Sequence, residues 1–337
     1  MSRRRSSTAG WTRLFQRSLK AALAPAVRAS RGATQRAIAA GVRRLRPPAG
    51  AGLWLPGVAI GPQGARAYRL FRPSALPGGG ERVPLLVMLH GCGQDAKAFA
   101  SSTRMNTLAA SKGFIVLYPE QDRLANLQGC WNWFETDSGR AYGEAQLILK
   151  AIDMACALSP VDRERVVLVG FSAGASMAAL LATRHPERFS AVVMHSGIPP
   201  GTAHSSVSAM GAMRGRRTPS AAMVQAAWPP LLVVHGAADG VVSPRNGVAA
   251  AHLWAEAGGA VARSSRQLQR GKRHAMTVTD YRRGAHLVAQ QVAVDRLGHA
   301  WSGGAAGQAF SDSLGPDASR LAWAFAAKAW TTRLPKP

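Results

Sequence analysis

A serine, an aspartate and a histidine occur in this chain in an order that could carry nucleophilic acyl transfer. Residues 165–174 read RVVLVGFSAG: a β-branched run, Val166 to Val169, ends in Gly170, Phe171, Ser172, Ala173 and Gly174, and the sequence then turns helical through Met177, Leu180 and Leu181. Strand, sharp turn and helix with serine at the apex is the GxSxG nucleophile elbow, whose glycines admit a strained turn that exposes the serine oxygen. A serine hydroxyl is a weak nucleophile until an imidazole takes its proton, and that imidazole needs a carboxylate to fix its tautomer and stabilise its cation. Downstream, the run LLVVHG leads to Ala237, Ala238 and Asp239, and a later strand leads to His299 within GHAWSGG. Both follow strand ends, on loops that share one edge of an open α/β sheet. The expected roles are Ser172 as nucleophile, Asp239 as orienting acid, and His299 as general base and acid. The other histidines (His185, His195, His204, His235, His252, His274 and His286) read as surface or core residues. Asp239 could instead cap the next helix, but Ser243 is better placed for that.

Acyl transfer also needs donors aimed at the developing oxyanion. The elbow offers the N–H of Ala173. The loop after the strand ending in His90 and Gly91 offers a second, that of Cys92, with Gly91 and Gly93 permitting close backbone approach.

These residues need a frame of alternating strands and helices. Residues 67–72 read as an early strand closed by Pro73, and 84–89 as a continuous apolar strand of the kind buried on both faces of a parallel sheet. A helix over 98–111, a strand over 114–118, a helix over 144–158, the elbow strand, strands over 191–194 and 231–234, and a helix over 248–257 continue the pattern. Such alternation implies a doubly wound, mostly parallel α/β sheet. Residues 197–228, rich in Gly, Ser, Ala and Met with Arg214, Arg216 and Arg217, are long for a loop and form a candidate lid or substrate-facing excursion. Residues 275–297 read as a hairpin at the sheet edge, and a helix over 317–330 closes the chain.

Composition bounds the rest. The 337 residues suffice for one large α/β domain with an extension, and 42 basic against 17 acidic residues give a formal charge of +25, which favours an anionic surface as partner. The basic residues crowd the N-terminus: twelve fall before Pro47, and the first acid is Glu81. Within residues 1–52, read as a basic arm and linker ahead of a catalytic domain over 53–337, Trp11, Leu14, Phe15, Ser18, Leu19 and Ala22 share a helical face opposite Arg13, Gln16, Arg17 and Lys20. Such a face suits anionic lipid or a lipid-coated storage granule better than nucleic acid, which needs nothing apolar to bury. The alternative is a solvated tail without a partner. There is no apolar h-region of a secretory signal and no membrane-length apolar run. Cys92, Cys130 and Cys156 lack zinc-ligand spacing, so no metal and no cofactor is expected.

Seven blocks carry a wider resemblance: LHGCGQ (89–94), CWNWF (130–134), VGFSAGASM (169–177), HGAADGVV (235–242), MTVTDY (276–281), GHAWSGG (298–304) and FSDSLGPDASR (310–320). In that order they resemble the poly(3-hydroxybutyrate) depolymerase family of esterases, over residues 67–330. The resemblance implies the α/β-hydrolase fold, Ser172, Asp239 and His299 as triad, and a Cys92 to Cys130 disulfide beside the oxyanion hole. It also implies tryptophans near the acyl site, for which Trp131, Trp133 and Trp301 are the candidates. The substrate implied is a hydroxyalkanoate polymer or oligomer; a carboxylesterase or feruloyl-type esterase on small soluble esters is the alternative. A reading of a different class is a granule- or DNA-binding protein with a vestigial triad. Secreted members of the family carry a signal peptide, linker and C-terminal binding domain that this chain lacks, which points to an intracellular granule or a soluble ester rather than extracellular polymer.

Overall fold

A computed structural model describes residues 47–77, 80–220 and 228–332. The basic amphipathic face expected on Trp11, Leu14, Phe15 and Leu19 lies outside the described residues, as do residues 221–227 of the 197–228 excursion. Among the described residues no helix is long and apolar enough to cross a membrane, and no group of three or more His, Cys, Asp or Glu is placed to hold a metal ion.

The chain runs β1 (Gly52–Gly61), β2 (Gly64–Pro73), β3 (Val83–Leu89), α1 (Ala96–Thr103), α2 (Met105–Lys112), β4 (Ile115–Pro119), α3 (Arg140–Leu158), β5 (Val161–Phe171), α4 (Ala173–Arg184), β6 (Ala191–His195), α5 (Ser206–Met213), β7 (Leu231–Gly236), α6 (Arg245–Ala257), β8 (Val261–Ala262), β9 (Arg266–Leu268), β10 (Met276–Arg283), β11 (His286–Val294), β12 (Trp301–Ser302), β13 (Ser311–Asp312) and α7 (Ala318–Thr332). The main sheet has the order β1-β2-β4-β3-β5-β6-β7-β11-β10-β8, with β9 also on β10. Its middle, β4 to β11, is parallel, and antiparallel pairs close both ends.

Every residue of β3, β4, β6 and β7 is buried, because both faces of the parallel sheet are covered. Side chains alternate between the faces. Leu85, Val87 and Leu89 join Ile148 of α3, Met177 of α4 and Trp254 of α6 in one core, while Leu86 and Met88 join Phe99 of α1, Leu108 of α2 and Phe325 of α7 in the other. β3 has β4 on one side and β5 on the other, so the strand order reverses there. The loops that leave the ends of β3 and β5 therefore diverge to opposite faces and leave a crevice, where doubly wound sheets place their sites.

Three local expectations are corrected. The single helix expected over 98–111 is broken at Arg104, which takes a left-handed conformation (φ 55°) while its guanidinium donates to the carbonyl of Gly303 at 2.6 Å, so a long-range bond sets the break. The region read as linker and domain start contains the edge strand β1, paired along its whole length with β2. Ahead of it the carbonyl of Ala51 accepts the N–H of Ser74 at 3.0 Å. Ser243 does not cap α6, which starts after Pro244 with no side-chain cap.

Candidate active site

β5 ends at Phe171 and α4 begins at Ala173, leaving Ser172 alone between them with φ 54° and ψ −123°. Neither flanking glycine could carry a side chain: a Cβ on Gly170 would lie 2.2 Å from the carbonyl oxygen of Gly174 in α4, and one on Gly174 would lie 2.1 Å from that of Leu89 at the end of the neighbouring β3. The strained serine is held by its own backbone, its N–H donating to the carbonyl of His195 at 2.9 Å.

His299 arrives on the loop after β11, and its Nε2 lies 2.9 Å from Ser172 Oγ. Its Nδ1 lies 2.8 Å from Asp239 Oδ2, on the loop after β7. A carboxylate can only accept, so Nδ1 carries the proton and Nε2 presents its lone pair to the serine hydroxyl. The Phe171 ring lies 5.0 Å from the imidazole, centroid to centroid. Asp239 is buried. Burial alone would raise its carboxyl, but bonds from His235, His299 and the N–H of Val242 hold it far below the ordinary carboxylate range.

The second wall is the loop His90 to Gln94 after β3. Its conformation is set by partners from residues 121–131. The Gln121 N–H donates to His90 Nε2 at 3.1 Å, which leaves Nδ1 to donate to the Gly91 carbonyl at 2.9 Å. The Trp131 Nε1–H donates to the His90 carbonyl at 3.1 Å, and the Gly93 N–H donates to the Gln128 carbonyl at 2.8 Å. A disulfide joins Cys92 to Cys130. Glu144 on α3 organises this segment in turn: its carboxylate accepts from Gln121 Nε2 at 2.8 Å, from the Asn132 N–H at 2.9 Å and from Asn132 Nδ2 at 2.6 Å. Ala173 opens α4, where a helix leaves its first N–H groups without intrahelical acceptors. Neither that N–H nor the N–H of Cys92 donates to a backbone acceptor among the described residues.

The tryptophans expected to line subsites are packed instead. Trp131 is 0% exposed, Trp301 1% and Trp133 7%, so in this conformation they offer a substrate almost no surface. Trp131 braces the Cys92 loop through His90. Trp301 donates Nε1–H to Ser319 Oγ at 3.2 Å, stacks on His195 with ring centroids 4.9 Å apart, and meets Phe99 edge-on.

A histidine near the end of an apolar strand reads as core, which hides His195 and His235 in the sequence. His195 is fully buried at the end of β6, and desolvation pushes its imidazole down to about 3. Its Nε2 accepts the N–H of Ser302 at 3.0 Å. The signal that could have flagged both is position, since each closes a parallel strand at the edge where the site lies. In the 197–228 excursion, α5 starts on a capping box at Ser205, and His204 Nδ1 lies 3.1 Å from Asp137 Oδ2 of the segment that follows the disulfide.

The comparisons with known proteins agree with this architecture. A family profile described as esterase PHB depolymerase matches residues 67–266, which include Ser172 and Asp239 and stop before His299. Poly(3-hydroxyalkanoate) depolymerase C of Paucimonas lemoignei is 34% identical over 190 residues, covering 52% of this chain and 44% of that protein. Feruloyl esterase B of Neurospora crassa is 29% identical over 188 residues, covering 50% of this chain and 63% of its own. The chain thus spans less than two thirds of either relative's length. Among solved structures, the acetyl xylan esterase from Aspergillus awamori superposes with a TM-score of 0.62 at 19% identity, over 74% of this chain and 94% of that one, a likeness of fold.

Proposed function

Because this chain belongs to the esterase PHB depolymerase family, we propose that it is a serine-dependent carboxylic ester hydrolase that works through an acyl-enzyme. The observation that carries the reading is the unbroken hydrogen-bonded chain Ser172 Oγ to His299 Nε2 at 2.9 Å and His299 Nδ1 to Asp239 Oδ2 at 2.8 Å. Ser172 Oγ attacks the ester carbonyl while His299 Nε2 takes its proton, and Asp239 stabilises the imidazolium that forms. The N–H groups of Cys92 and Ala173 receive the oxyanion. As the tetrahedral centre collapses, His299 passes its proton to the departing alkoxide. Water then enters, gives a proton to His299 and attacks the acyl carbon. The second collapse releases the acid and returns the proton to Ser172.

The substrate class we propose is the ester of a short-chain hydroxyalkanoate, polymeric or oligomeric. It is supported by the family match and by the Paucimonas lemoignei relative, whose name is that of a poly(3-hydroxyalkanoate) depolymerase. A second reading, a feruloyl-type or other small soluble ester, draws on the Neurospora crassa relative, since one triad serves any ester. Assays of 3-hydroxybutyrate oligomers, p-nitrophenyl butyrate and a feruloyl ester side by side separate the two. The proposal expects the highest kcat/KM on the oligomers, and a clear preference for the feruloyl ester overturns the substrate class.

A further inference from the structure

Asp239 serves two imidazoles. Its Oδ1 accepts the N–H groups of Val241 at 3.0 Å and Val242 at 2.8 Å. Its Oδ2, beyond the 2.8 Å contact with His299 Nδ1, lies 3.4 Å from Nε2 of His235. His235 belongs to β7, is 2% exposed, and also brings Nε2 to 3.0 Å from the Val242 carbonyl. Carboxylate and carbonyl oxygens can only accept, so His235 Nε2 carries a proton, which bonds to the Val242 carbonyl and has Asp239 Oδ2 as a second, longer contact. The ring fits because residue 247 is glycine, where a Cβ would lie 2.9 Å from His235 Nδ1. That Nδ1 is buried with no hydrogen-bond partner. A leucine would fill the space without stranding a polar atom, so packing alone does not account for an imidazole here. The reaction steps above make no use of His235.

Resting on the reading of Ser172, His299 and Asp239 as the triad, we infer that His235 is a positioning residue: its Nε2–H competes with His299 for Asp239 Oδ2 and so sets how strongly that carboxylate stabilises the His299 imidazolium. Each donor on a carboxylate stabilises its anion and weakens it as a base. The titratable groups around this carboxylate are His299, His235 and His195 at the end of β6. His195 is neutral at working pH, which leaves the two imidazoles on Oδ2 to divide its charge. Removing the His235 donor makes Oδ2 a stronger base. The His299 cation then persists to higher pH, and the free imidazole that accepts the serine proton forms later in an alkaline titration.

The test is the pH dependence of kcat/KM for the full chain on p-nitrophenyl butyrate, comparing wild type, His235→Leu, which removes the donor, and His235→Gln, whose amide keeps one at similar reach. The acid limb of His235→Leu moves up by about half a pH unit or more, while that of His235→Gln stays within about 0.2 unit of wild type. If His235→Leu does not fold, His235→Asn, whose shorter amide falls short of Asp239, takes its place with the same expected shift. A fall in kcat/KM by one common factor at every pH, with the limb unmoved, overturns the inference. Asp239→Ala separates the two levels of the argument. A large loss there with an unmoved limb in His235→Leu sinks the role of His235 alone, whereas wild-type activity in Asp239→Ala sinks the triad reading as well.

Discussion

Ser302 donates its backbone N–H to Nε2 of His195 at 3.0 Å, three residues beyond His299, while the carbonyl of the same His195 accepts the N–H of Ser172 at 2.9 Å. One buried residue at the end of β6 therefore holds both the backbone of Ser172 and the loop that brings His299. The stack of Trp301 on the imidazole adds a third hold on that loop.

Replacing His195 by Phe keeps the stack and removes the acceptor, stranding the Ser302 N–H in a buried site. Leaving such a group unpaired costs about 1–3 kcal/mol, and misplacement of His299 lowers kcat by roughly tenfold or more with KM little changed. His195→Gln, whose amide oxygen reaches the same N–H, recovers most of the loss. Steady-state kinetics of both variants on one soluble ester decide it, and equal activity in all three proteins contradicts the account.

Two of the buried imidazoles outside the proposed triad, His90 and His195, make the fold sensitive to acid. Desolvation lowers His90 to about 4 and His195 to about 3, against 6.5 when unfolded. Between those values the unfolded chain binds more protons, so stability rises with pH. The contribution is complete above about pH 6.5 and is lost as pH falls toward 4 and then 3, roughly 3 kcal/mol or more for each ring. Urea unfolding between pH 7 and pH 4 should show the midpoint falling steadily. A flat midpoint over that range contradicts burial of two neutral rings.

How much of this was legible in the chain depends on the range of the forces involved. The elbow could be read because Gly170 answers a local clash with the helix that follows, and Asp239 and His299 because each follows a strand end within a few residues. The buried strands β3 and β7 announce themselves as unbroken apolar runs. The break at Arg104 could not be read, since the bond that holds it comes from Gly303, 199 residues away. β1 was hidden because Pro56 and its glycines look like loop, and because an edge strand shows Leu53, Leu55, Val58 and Ile60 to solvent rather than alternating cleanly. Trp131 and Trp301 adjoin the candidate site in sequence, but which way each indole faces depends on His90 and Ser319, partners supplied by other elements.

Trp301→Ala should therefore act through the frame rather than through substrate contact. Removing a fully buried indole costs about 3–5 kcal/mol, with a lowered thermal midpoint and a fall in kcat as the His299 loop loosens. A raised KM with an unchanged midpoint would return Trp301 to a substrate-contacting role.

Alkylation of the denatured, non-reduced protein should label one thiol, Cys156, which is buried in α3 and whose thiol desolvation pushes up. Closing the 38-residue separation between Cys92 and Cys130 stabilises the fold by about 4 kcal/mol on the chain-entropy view. Because Cys92 stands in the loop proposed to receive the oxyanion, the double replacement Cys92→Ala with Cys130→Ala should lower kcat as well as the thermal midpoint. Three labelled thiols contradict the bridge.

The acyl-enzyme is the central claim, and intact-mass spectrometry of the enzyme quenched during turnover of p-nitrophenyl 3-hydroxybutyrate tests it directly. The account predicts a mass increase of one hydroxybutyryl group, mapped by peptide analysis to Ser172 and absent from Ser172→Ala, whose turnover falls by about 10³-fold or more. An acyl group on another residue, or Ser172→Ala retaining more than about a tenth of wild-type turnover, would contradict it.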